Sequence, residues 1–130
     1  MREIKDLDAE AKKRKIWFDY QGHEILLDDY TNVFPDQFAS LIERMTELTF
    51  ESGKKDILLI VNVTGAYANK EAVNAFAESG KKSRPLLKKT AVVGITGVKK
   101  ILLNVINKFS GVSAKAVSSM EEAKKWLISN

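Results

Sequence analysis

The fold class predicted by this sequence is an α/β sandwich: a mixed, mostly parallel sheet of about five strands covered by about four helices, in the order ββαβαβαβα. Three observations carry the prediction. Ile57 to Val63 and Thr90 to Ile95 are nearly continuous aliphatic runs, which suits strands buried on both faces. Each run ends in a Thr-Gly turn, Thr64-Gly65 or Thr96-Gly97, and a helical period follows. The links between periodic segments are short, as in strand–helix–strand units.

In chain order, residues 1–15 are a charged lead-in without a clean period, read as mobile or loosely helical. Residues 16–130 are read as a single domain. Ile16 to Tyr20 and His23 to Asp28 flank Gln21-Gly22 and predict a hairpin. Pro35 suits the first turn of a helix that carries Phe38, Leu41, Ile42, Met45 and Leu48 on one stripe. Gly53 is expected at its C-terminal cap. Asn69 is the expected N-cap of a helix over Lys70 to Lys82. The face holding Ala72, Ala75, Phe76, Ser79 and Gly80 is built mainly from small residues, so it either approaches the sheet closely or leaves room beneath it. Gly80 favours an early end to that helix.

After the strand from Thr90, Thr96 is a candidate cap for a helix over Val98 to Phe109, which Ser110-Gly111 stops. Its core stripe is Val98, Ile101, Leu102, Val105 and Phe109. Leu103 and Ile106 widen the apolar arc to about 200°, where one sheet face asks for roughly 100°. Something besides that face must cover them. Ser113 to Val117 reads as a short edge strand, and Ser119 to Glu122 is a capping-box pattern that opens a last helix with Met120, Ala123, Trp126 and Leu127.

Composition narrows the function. With 45% apolar and 29% charged residues the chain is globular, and without cysteine it has no disulfide, thiolate metal site or cysteine nucleophile. The N-terminus lacks the apolar core of a signal peptide, and no run approaches the ~20 residues of a membrane span, so the cytoplasm is expected. Up to Gly53 there are 7 Lys and Arg against 12 Asp and Glu; from Lys54 onward, 14 against 5. The imbalance points either to an anionic partner or to lysine pairs on exposed surfaces. No arginine-rich run or aromatic-interleaved basic strand supports nucleic-acid binding.

Catalytic patterns are missing: there is no Ser/His/Asp spacing, no metal cluster and nothing that calls for a cofactor. His23, the single histidine, reads as a solvent-facing strand residue, and Asp28-Asp29 point apart on an extended chain. A lone acid such as Asp19 has nothing to recommend it. Thr64, Gly65, Thr96 and Gly97 are candidate anion-binding residues at strand-end turns, although the motif is neither GxGxxG nor GxxxxGK[ST]. The wide helix is the better clue. Leu102, Leu103 and Ile106, with Phe76 and Trp126 as neighbours, line an apolar small-molecule cleft, form a protein–protein or homodimer patch, or are covered by the chain itself.

Asp56 to Gly65, Lys88 to Gly111 (KKTAVVGITGVKKILLNVINKFSG) and Glu121 to Leu127 (EEAKKWL) resemble the STAS-like proteins, the superfamily of the sulfate-transporter tail and the bacterial anti-sigma factor antagonist. The likeness is closer to a small bacterial branch bearing both STAS and SEC14 (CRAL-TRIO) features. It implies a non-enzymatic module that binds a partner or a small ligand, and its CRAL-TRIO side implies an apolar, lipid-type ligand. Asn62 to Gly65 is similar to the family's Asp-Leu-Ser-Gly turn. Ala66 to Ala72 offers no hydroxyl but Tyr67 at the expected phosphorylation site, so that switch is not carried over. The alternatives are a regulatory interaction domain of the anti-sigma antagonist type and an anion or nucleotide binder at Thr96–Lys99.

Overall fold

The computed structural model describes residues 6–67, 69–95, 103–104, 107–108 and 114–129. Gln21 and Gly22 both take positive φ, 50° and 82°, the twist that joins two antiparallel strands through a two-residue turn. They connect β1 (Lys15–Tyr20) to β2 (His23–Asp29). From β2 the sheet continues in parallel through β3 (Ile57–Asn62), β4 (Leu87–Val93) and β5 (Ala114–Val117), in the spatial order β1-β2-β3-β4-β5. The mixed, mostly parallel α/β sheet expected from the two aliphatic runs is therefore present.

Register assigns the two faces. Leu26, Leu59, Thr90 and Ala114 lie side by side on one face, and Asp28, Val61, Val92 and Ala116 form the next row. This face is covered by α2 (Pro35–Glu51), α3 (Lys70–Ser83) and Leu103. The opposite face presents Ile25, Leu58, Ile60, Ala91, Val93 and Val117 to α4 (Met120–Ile128).

Local chemistry explains the helix ends. Pro35 opens α2, and Gly53, at φ 70°, turns the chain just beyond its last turn. Asn69 caps α3 by accepting from the Ala72 N–H at 2.9 Å. Ser119 accepts from Glu122 N–H, but Glu122 reaches back to the N–H of Ser118 at 2.8 Å, one residue earlier than a capping box requires. Gly80 does not end α3, which runs to Ser83 before a 3-10 turn at Arg84–Leu86. β4 accordingly starts at Leu87, three residues before the aliphatic run.

Within the charged lead-in, Leu7–Arg14 is more ordered than the sequence suggests. Leu7–Arg14 forms α1, capped by Asp6 and packed on α2, with Ala11 fully buried. Asp8 pairs with Arg44 at 2.5 Å, and Arg14 donates to the carbonyls of Asp29 and Thr31. Ala11 and Leu7 join the core on this side, and these charged contacts add to their packing. The Thr96 cap, most of the Val98–Phe109 helix, its Ser110-Gly111 stop and Ser113 lie outside the described residues; Leu103, Asn104, Asn107 and Lys108 are helical.

Candidate functional site

The face covered by α2 and α3 is not filled. A cavity of about 130 Å³ lies between the sheet, α2, α3 and the helical residues Leu103 and Asn107. Protein interiors hold few voids larger than a water molecule, so a hollow of this size needs a cause. The cause is the α3 face: Ser79, Gly80 and Ser83 line the hollow where larger side chains would have closed it. Phe38, Val61, Val73, Phe76, Val92 and Leu103 give it apolar walls. At one end Tyr30, Phe38 and Phe76 pack as three rings with centroids 5.2–5.4 Å apart, two of the pairs edge to face.

Polar groups also reach this lining, and most are occupied. Thr46 donates to the Ile42 carbonyl and shares a 2.5 Å hydrogen bond with Ser79, tying α2 to α3. Lys15 and Asp28, opposite each other across the hairpin, form a buried ion pair at 2.6 Å, and Lys15 also donates to Thr49 at 2.8 Å. Burial pushes the Asp28 carboxyl above the ordinary aspartate range, against the pull of Lys15. It likewise holds the Tyr30 phenol well above its usual value, with the Asp28 charge adding to the shift. Asn107 donates to the Ala114 carbonyl at 3.1 Å and accepts from the Ala114 N–H at 3.2 Å.

Thr90 differs. It is 5% exposed, lines the cavity, and its Oγ1 has no hydrogen-bond partner among the described residues. A buried hydroxyl without a partner is uncommon in folded proteins.

Of the apolar candidates expected from sequence, Phe76 and Leu103 line this cavity. Trp126 does not: it sits on the far side of the sheet, where Lys89 lies 4.6 Å and Lys115 5.3 Å from its ring centroid. Strand alternation places Lys89 and Lys115 on the α4 face, and Trp126 follows them there. Leu102 and Ile106 are outside the described residues. So are Thr96 and Gly97, of the candidate anion set. Thr64 directs both its N–H and its hydroxyl to Asn62 Oδ1, and Gly65, at φ 72°, lies against Asn32. Both donors of Thr64 are thereby committed within the turn. Gly94 faces that turn so closely that a Cβ would sit 2.5 Å from the Thr64 nitrogen.

Sequence reasoning missed Asp28 and Thr90. Asp28 was legible in principle, since the Gln21-Gly22 turn sets Lys15 opposite it and alternation puts Leu26, Asp28 and Tyr30 on one face; Thr90 was not, because its neighbours Leu59 and Ala114 follow from the parallel register. His23 and Asp19 are exposed. Among the described residues no group of three or more His, Cys, Asp or Glu could hold a metal ion, and no helix is long and apolar enough to cross a membrane.

No family model matches the sequence, and no curated protein matches it significantly. By structure, the chain is similar to an uncharacterized protein of the DUF3478 family with a SpoIIAA-like fold from Shewanella loihica PV-4. The TM-score is 0.66 at 18% identity, over 87% of this chain and 91% of that one. At that identity the likeness establishes the fold alone: this chain has a SpoIIAA-like α/β fold.

Proposed function

We propose that this STAS-like domain is a non-catalytic binding module that holds a small, mainly apolar molecule between the sheet and α3. The observation that carries the reading is the hollow of about 130 Å³ walled by Phe38, Val61, Val73, Phe76, Val92 and Leu103. Pockets of this kind, apolar with a few placed polar groups, are the usual form of small-molecule sites. The non-catalytic part rests on the same lining. Among the described residues, its one carboxylate, Asp28, is tied to Lys15, and neither a nucleophile–base pair nor a metal cluster stands beside it.

The test is native mass spectrometry of the purified protein, together with displacement of a solvatochromic dye. A bound organic mass, or saturable dye binding weakened by Val73→Trp, is the expected result. A clean apo spectrum with no dye binding to wild type would count against the reading. It would return the choice to a regulatory protein–protein domain of the anti-sigma antagonist type.

A further inference from the structure

Size and the Thr90 hydroxyl together narrow the ligand. An apolar cavity of about 150 Å³ admits benzene or xenon, so one of about 130 Å³ accommodates a single ring and is too small to enclose a long acyl chain. On the cavity face, the cross-strand neighbours of Thr90 are Leu59 and Ala114, and neither offers a side-chain hydrogen-bonding group. Valine would match threonine in shape and suit the strand as well. The oxygen therefore adds nothing to packing, and buried without a partner it weighs against the fold. A hydroxyl donates and accepts, so it is matched by a hydroxyl or carbonyl oxygen entering from the cavity.

We propose that the ligand is a compact, ring-sized organic molecule bearing one hydroxyl or carbonyl oxygen, seated with that oxygen on Thr90 Oγ1 and its hydrocarbon against Val92, Phe76 and Leu103. This rests on the reading that the hollow is a small-molecule site, and it favours a ring-sized occupant over an enclosed long-chain lipid.

The experiment measures binding of benzene, phenol and dodecanoate to the full chain, as wild type, Thr90→Val and Thr90→Ser. The ratio of the phenol Kd to the benzene Kd rises about tenfold in Thr90→Val, the worth of one net hydrogen bond, and returns to the wild-type value in Thr90→Ser. Dodecanoate does not compete with phenol. An unchanged ratio in Thr90→Val, with benzene still bound, overturns the Thr90 contact and leaves the cavity reading intact. Dodecanoate binding more tightly than phenol overturns the size limit alone. Failure of all three probes to bind wild type removes the cavity reading and this inference with it.

Discussion

The two faces of this sheet are made by the same strands and finished in opposite ways. On one face α4, nine residues long, seals its side with Ala123 and Leu127, 0% and 2% exposed, over Ile25, Ile60 and Ala91. On the other, α2, α3 and Leu103 together leave a hollow. More covering helix has produced less filling. Helix count therefore does not decide whether a face is closed; side-chain volume at the contact does. α4 brings Leu127 to its contact, whereas the second half of α3, beyond Val73 and Phe76, brings Ser79, Gly80 and Ser83.

The largest effect expected from breaking this contrast is in the polar wall of the open face. Lys15→Met leaves Asp28 buried without its partner and should cost about 3–5 kcal/mol at neutral pH, read from denaturant unfolding. Burial raises the Asp28 carboxyl above its unfolded value, so its contribution favours the fold fully below the ordinary aspartate pKa and fades as pH rises through the folded one. The loss in Lys15→Met should therefore shrink as pH falls. A pH-independent loss would show that Asp28 is not the group left exposed to the penalty.

A paired substitution sharpens the comparison itself. Leu127→Ala on the sealed face should cost about 3–4 kcal/mol, because a void opens in a filled core. Leu103→Ala on the open face should cost about 2 kcal/mol, since Leu103 already borders empty space and has fewer contacts to lose. Equal losses would mean that the hollow is closed in solution. The smallest effect is a gain: Thr90→Val should stabilise the unliganded protein by about 1 kcal/mol, because an unsatisfied hydroxyl is replaced by a methyl group of the same shape.

Much of the fold was legible because its signals are local. Continuous aliphatic runs marked β3 and β4, Gln21-Gly22 marked the hairpin, and Pro35, Asn69 and Ser119 marked three helix starts. Half of the site was legible for the same reason, since the small-residue face of α3 already carried the alternative of room beneath it. What was hidden is non-local. Trp126 had helical spacing but no sign of which face α4 would take. α1 has no apolar period, and its contacts are with distant partners: Ala11 joins the core, and Asp8 pairs with Arg44, thirty-six residues away. The significance of Thr90 depends on Leu59 and Ala114 flanking it, which only the register reveals.

The Asn107 carboxamide has a consequence for association. Ala114 begins β5, one of the two edge strands, and its main-chain N–H and C=O are both taken by that one side chain. An exposed edge strand is the place where a second chain adds itself to a sheet, and proteins blunt such margins by keeping them short or covering them. Here a single amide stands in for a sixth strand at one position, and β5 is only four residues long. The β5 margin is thereby partly blunted among the described residues, and the edge at which another molecule could lengthen the sheet is β1, Lys15–Tyr20, on the opposite side.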